Sequence, residues 1–434
     1  MAFSSAGQMG LSKTGSGELG RRLLFLLIVL VIYRIGVHIP VPGINPQRLH
    51  ELFNNQSNNI VGLFNMFSGG ALYHFSVFAL GIMPYISASI IMQLLTAVVP
   101  SMEQLKKEGE SGQRKINNYT RYGTVLLAAI QGFAFSRVLG GKGIALVPGL
   151  NFYIISTITL VAGTVFLMWL GEQVTERGIG NGISMIIFFS IVARFPATIG
   201  DVLTQARHGQ IQMLTLLIII LVIVAVTLFV VFIESGQRRI KIESAKRQQG
   251  RKMYAAQSTH LPLKINMAGV IPIIFAWSLI LFPATIATWL ANTPHFHWLR
   301  NVGFVLEPGH PISIAIFVVG VIFFCFFYTG LVFNPRDIAD NLRKSGAFIP
   351  GIRPGEQTAR YIDQVMTRLT LFGGIYISAV ALLPQIISSV WHVNFMFGGT
   401  SLLIIVVVAM DFMAQVQSHL LSNQYSSLMK KNRS

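Results

Sequence analysis

Charge is what this chain most lacks. Only 11% of its 434 residues are Asp, Glu, Lys or Arg, while 53% are hydrophobic. A soluble domain carries about 25% charged residues. With a mean hydropathy of +0.61, the composition excludes a water-soluble globular protein and predicts a chain that crosses a membrane many times. Cysteine is nearly absent as well. The single Cys325 lies in the apolar run IFFCFFYTG, which excludes a disulfide framework and a cysteine-based metal site. There is no GxxxxGK[ST] loop to cradle phosphate and no HExxH, and the ten histidines do not cluster at ligand spacing. No Ser, Cys or carboxylate arrangement suggests a hydrolase. Gly180-Asn181-Gly182 has a glycine-rich look, but no strand precedes it and it sits between two apolar runs. The chain is therefore expected to be no enzyme and to need no cofactor; any work it does draws on a partner or an ion gradient. The first 20 residues are polar and Gly/Ser-rich, without the apolar core of a cleavable signal.

The most informative stretch runs from Ile60 to Leu95. Its second part, Phe75–Leu95, is long enough to span a bilayer, which takes about 20 residues. Its first part, Ile60–Leu72, covers only about two-thirds of a ~30 Å hydrocarbon core at about 1.5 Å per residue. Ser68-Gly69-Gly70 interrupts it, and glycine bends cheaply. A short, broken apolar segment is tolerated at membrane depth only inside protein or beside a water-filled cavity. The stretch suggests a half-helix folded back into a hollow; an amphipathic surface helix fits these residues equally.

Ten segments qualify as spans: 22–40, 75–95, 121–138, 152–171, 183–203, 211–233, 268–292, 312–333, 369–391 and 400–419. An even number puts both termini on one side. The loops on that side, with the tails and span edges, hold 26 of the 33 Lys and Arg. By the positive-inside rule that side is the cytoplasm.

Two cytoplasmic loops, 234–267 and 334–368, are long and basic, whereas mere connections run 2–8 residues. Both are read as docking elements. Arg247, Arg251 and Lys252 crowd a stretch beside Gly250, a natural turn residue. Such a tip suits phosphate backbones, anionic lipid headgroups or an acidic protein face. In the second loop Pro350-Gly351 and Pro354-Gly355 bracket Arg353, holding it on a rigid turn. Inside the spans, Arg34, Arg194 and Asp411 are isolated in sequence; pairing with a neighbouring helix or an interfacial position explains them best.

Several runs carry a family likeness: MFSGGALYHFSVFALGIMPYISASIIMQLL, KKEGESGQRKINNYTRYG, MWLGEQVTERGIGNGIS, AKRQQGRKMYAAQSTHLPLKINMAGVIP, FNPRDIADNLRKSGAFIPGIRPGEQTA and FGGTSLLIIVVVAMDFMAQVQ. They span nearly the whole chain, and on them it resembles the SecY family, the channel subunits of the bacterial Sec protein translocase. The outer loops at 139–150 and 291–310 match poorly, and Arg194 departs from the family pattern.

The resemblance implies an all-α polytopic membrane protein. Ten transmembrane helices form two inverted pseudo-symmetric halves of five, with a short re-entrant plug helix. It divides the chain into a cytoplasmic N-tail (1–21), an N-terminal half (22–203, spans 1–5, plug 60–72), a C-terminal half (204–419, spans 6–10) and a cytoplasmic C-tail (420–434). The plug falls on Asn65, Met66, Phe67, Ser68, Gly69 and Gly70. The pore ring falls on Ile82, Ile86, Ile183, Ile187, Ile274 and Ile404. A ring of branched aliphatics excludes water and ions by dewetting and grips no particular sequence. Gln93 and Asn266 match polar positions on the lateral gate, where interhelical hydrogen bonds of about 0.6–2 kcal/mol would be breakable. Arg247, Arg251, Lys252 and Arg353 match positions that dock the ribosome or motor.

The implied function is a passive channel in the bacterial inner membrane. It passes unfolded secretory polypeptides outward and releases transmembrane segments sideways. The implied partners are SecE, SecG, the motor ATPase SecA, the ribosome, signal sequences and nascent polypeptides, and anionic phospholipids, with SecD/SecF and YidC as further candidates. The alternative is a secondary transporter for a small solute, which also uses broken helices and inverted halves but binds its cargo with midplane polar groups.

Overall fold

The computed structural model describes residues 16–49, 65, 67–141, 143–147, 149–209, 213–244, 247–249, 252–254, 258–290, 303, 305–306, 310–391 and 399–431. Met66 and Arg251, two of the expected site residues, lie outside them, as do residues 60–64 of the short apolar segment.

Each of the ten expected spans overlaps a helix. The helices are α1 (Ser16–Val37), α2 (Met83–Val98), α3 (Pro100–Lys107), α4 (Glu110–Gly141), α5 (Leu150–Arg177), α6 (Gly182–Arg207), α7 (Met213–Ser235), α8 (Ile271–Leu290), α9 (Pro311–Val332), α10 (Pro335–Lys344), α11 (Glu356–Trp391) and α12 (Gly399–Lys431). Among the described residues, seven helices are long and apolar enough to cross a membrane, and the bent pair α2–α3 would make an eighth.

The boundaries differ from the sequence reading where turn chemistry outweighs hydropathy. The expected span 75–95 begins as a helix only at Met83. Residues 68–82 are a chain of turns, with Phe75 at φ 38°. Backbone bonds from Val41 N to Phe75 O and from Val77 N to Ile39 O, both 3.0 Å, pin these turns to the chain after α1. Pro84, whose ring fits the first turn of a helix, then starts α2. At Val99-Pro100 the chain turns by 97° into α3. In this exposed helix Lys107 lies 2.6 Å from Glu103 and holds its carboxyl below the usual range. The long loops are also more helical than expected: α4 and α11 begin about three to four turns before their apolar runs.

The chain forms two compact units. The first comprises Met1–Gly200, Phe282–Arg300 and Val408–Ser434; the second comprises Asp201–Leu281 and Asn301–Val407. In the first unit α4 packs along α5, where Ser136 and Ser156 hydroxyls meet at 2.6 Å. Arg121 on α4 grips Glu172 on α5 through Nε (3.0 Å) and Nη2 (2.7 Å), a two-pronged match of guanidinium to carboxylate.

In the second unit the two long basic loops fold together. Strand β1 (Gln237–Ser244) pairs antiparallel with β4 (Ser258–Lys264) and, at its far end, with β5 (Ala347–Phe348) of the other loop. Strands β2 (Arg247–Gln249) and β3 (Lys252–Tyr254) form the hairpin tip. Alternation gives the sheet one wet and one dry face. Arg239, Lys241, His260 and Lys264 are exposed on one, and Ile240 and Leu263 are buried on the other. The dry face meets Ile349, Ile362 and Met366 in a small core outside the apolar spans.

Candidate functional site

The segment that the resemblance assigns to the plug is described from its end. Asn65 and Phe67 are helical, and the helix stops in turns at Ser68, Gly69 and Gly70. The stop is made locally. Asn65 O accepts from Gly70 N (3.0 Å) and from the Ser68 hydroxyl (3.1 Å). Asn65 Oδ1 accepts from Tyr73 N at 3.1 Å. Asn65, Ser68, Ala71 and Leu72 are all buried.

Two helices of the first unit hold this turn. The Tyr33 hydroxyl of α1 donates to Ser68 O at 3.1 Å and lies 2.6 Å from Ser190 Oγ of α6. A Cβ on Gly69 would stand 2.6 Å from the Tyr33 hydroxyl and 3.1 Å from Ser190 Cα, and Gly69 has φ +66°. Both facts require glycine there. One turn along α6, the Arg194 guanidinium lies over the Tyr73 ring, 5.4 Å from its centroid, within range of a cation–π attraction. Tyr33 itself stacks on Phe78 at 6.0 Å and 6°, and Phe78 on Phe166 at 6.0 Å and 11°. A Cβ on Gly36 would run into the Phe78 ring at 2.0 Å, so the bare backbone is what lets the stack form.

Sequence reasoning missed Tyr33 and Ser190. The available signal was a lone hydroxyl in each of two apolar runs, LIVLVIYRIG and IIFFSIVAR. Ser190 and Arg194 lie four apart and therefore share a helix face.

Of the positions that the resemblance assigns to the ring, four belong to the first unit. Ile82 sits immediately before α2 and Ile86 one turn inside it; both are buried. Ile183 is half-buried and Ile187 is buried, in the first two turns of α6. That helix is capped by Asn181, whose Oδ1 accepts from Ile183 N at 3.0 Å and Ser184 N at 3.4 Å. The Gly180-Asn181-Gly182 run is thus a helix-starting turn. In the second unit Ile274 opens α8 and Ile404 lies in α12, both buried. Gln93 is half-buried on α2, its amide donating to Ser89 Oγ at 3.2 Å. Asn266 donates to Glu234 Oε1 at 2.7 Å and to Gly269 O at 3.2 Å, and its Oδ1 accepts from Gly269 N at 3.1 Å.

Of the residues expected to dock a partner, Arg247 and Lys252 lie on the paired strands of the tip. Arg353 is exposed on its turn, which Thr358 fixes by donating to Arg353 O at 2.9 Å. Gly351 and Gly355 flank it at φ +83° and +111°.

The SecY family model matches residues 76–413. The chain belongs to the SecY family. It is 61% identical over 421 residues to the protein translocase subunit SecY of Pseudomonas aeruginosa, covering 97% of this chain and 95% of that one. It is 58% identical over 424 residues to the SecY of Escherichia coli K12, covering 97% and 96%. Among solved structures the fold matches a protein-conducting channel with TM-score 0.68, at 18% identity over 93% of both chains. It also matches Sec61 of the canine endoplasmic reticulum in a ribosome–channel complex, with TM-score 0.65, at 17% identity over 93% of both. The SecY-family fold and the many apolar helices make this a multi-pass membrane channel.

Proposed function

We propose that the chain is the channel-forming subunit of a bacterial protein translocase. It conducts unfolded secretory polypeptides across the inner membrane and releases apolar segments sideways into lipid. The observation that carries this reading is near-full-length identity of 61% and 58% to curated protein translocase subunits. The same likeness favours a protein channel over a small-solute transporter.

In this reading residues 22–203 and 204–419 are the two halves, and both termini are cytoplasmic. Ile82, Ile86, Ile183, Ile187, Ile274 and Ile404 form a dewetted ring that gives way to an extended chain. Asn65–Gly70 belong to the plug that blocks the outer side, and Gln93 and Asn266 lie on the lateral gate. The subunit works passively, without a catalytic centre of its own. Force comes from SecA or the translating ribosome, docked on the sheet of the two basic loops through Arg247, Arg251, Lys252 and Arg353. SecE and SecG complete the channel, anionic phospholipids surround it, and SecD/SecF and YidC act beside it.

A photo-crosslinking side chain at Ile404, in cells carrying a stalled secretory chain, tests the reading. A crosslink to the stalled chain is expected. Its absence with the chain demonstrably engaged would remove Ile404 from the path and revive solute transport, measured by uptake.

A further inference from the structure

We infer that Tyr33 and Ser190 form a two-position hydrogen-bond latch on the plug, with Arg194 as its outer stay; this rests on the channel reading and on the assignment of residues 65–70 to the plug.

Three short oxygen contacts meet at the latch, and two hydroxyl protons serve them. The Tyr33 hydroxyl is 3.1 Å from Ser68 O and 2.6 Å from Ser190 Oγ, and Ser190 Oγ is 2.7 Å from Ile186 O. A 2.6 Å contact between two hydroxyl oxygens needs a proton between them. Two arrangements satisfy this. In the first, Ser190 donates to Tyr33 and Tyr33 donates to Ser68 O, so the chain of bonds ends on the plug. In the second, Tyr33 donates to Ser190 and Ser190 donates to Ile186 O, so it ends inside α6 and leaves the plug unheld.

The two arrangements keep both buried hydroxyls bonded. Stranding a buried hydroxyl is the usual penalty for breaking such a contact. Here the swap avoids it, and the group set free, Ser68 O, leaves with the plug. The latch therefore holds at rest and releases without storing an orphaned donor. The surroundings keep it aimed. The Tyr33–Phe78–Phe166 stack fixes the ring, and Gly69 lets the plug backbone reach the hydroxyl. Arg194, four residues beyond Ser190 on the same helix face, covers Tyr73 just past the plug. This gives the intramembrane arginine, unexplained by the family pattern, a place in the closed state.

The test measures resting ion conductance of the channel, purified with its partner subunits and reconstituted in proteoliposomes, for four proteins: the parent, Tyr33→Phe, Ser190→Ala and a deletion of Asn65–Leu72. Tyr33→Phe keeps the stacked ring and removes only the latch proton. Its conductance should rise about five-fold, the effect of one net hydrogen bond on a two-state plug. Ser190→Ala removes the second arrangement and leaves Ser68 O as the protein acceptor of the Tyr33 proton. Its conductance should stay at or below the parent level. Equal rises in both variants would overturn the latch, since the residues would then merely pack the plug. An unchanged Tyr33→Phe beside a leaky deletion would overturn it too, with the plug assignment intact. An unchanged deletion would overturn the plug assignment itself.

Discussion

Asn266 Nδ2 donates to Glu234 Oε1 at 2.7 Å, tying the turn before α8 to the last turn of α7. The residue proposed for the lateral gate thus spends its amide within its own unit. Asn266→Leu keeps the volume and leaves a half-buried carboxylate without this donor. Hydrogen bonds to charged groups contribute about 1.5–3 kcal/mol, so the melting temperature of the detergent-solubilised complex should fall. Asn266→Asp should fall further near neutral pH, because two carboxylates then face each other. Protonating either one removes that repulsion. The deficit should therefore shrink as pH drops and one of them takes up a proton. A pH-independent deficit would mean that Glu234 is not the group that Asn266 serves.

The sheet built from the two basic loops has its own core, and that core makes a separate prediction. Ile362 is 0% exposed and packs with Ile240 and Leu263 from the other loop. Ile→Ala in such a site costs about 2–5 kcal/mol. Ile362→Ala should loosen the hairpin while the spans stay folded, and trypsin should cut at Arg247 and Lys252 several-fold faster. Unchanged cleavage would show that the two loops do not depend on one core.

How much of this was visible in the residues varies with the physics involved. Long apolar runs mark their own helices, so α5 to α7 and α9 start where hydropathy puts them. The helix start at Met83 was missed because residues 75–82 are as apolar as any span. What breaks them is backbone conformation at Phe75 and Gly81, which hydropathy does not report. The pairing Ser244↔Ala347 joins two loops about one hundred residues apart, a distance over which no local pattern speaks. The Tyr33–Ser190 contact is similarly long-range, between one polar atom in each of two apolar helices. The turn at Arg353 was easier: Pro-Gly on both sides predicts a stiff turn, and Arg353 stands exposed on one.

That exposure leads to a charge-reversal test. Arg353 has its backbone carbonyl fixed by Thr358 and its side chain in solvent, so Arg353→Glu leaves the fold alone. The variant should reach the membrane in normal amounts and lose motor-driven export in inverted vesicles. Export at the parent rate would remove Arg353 from the docking surface.

The proposed ring makes the last prediction. Ile86 and Ile274 are 4% and 5% exposed, so neither is a surface position whose substitution would pass unnoticed. Replacing both with Ser removes branched apolar surface and supplies hydroxyls that hold water. A constriction closed by dewetting should then wet. The double variant should conduct ions at rest and accept secretory chains whose signal sequences are defective, because less energy is needed to open the waist. If these residues only pack, the cavities should instead lower thermal stability, with conductance and signal discrimination unmoved. The two outcomes separate a gasket from a core: a gasket fails first in what it lets through, a core in how long it stays folded.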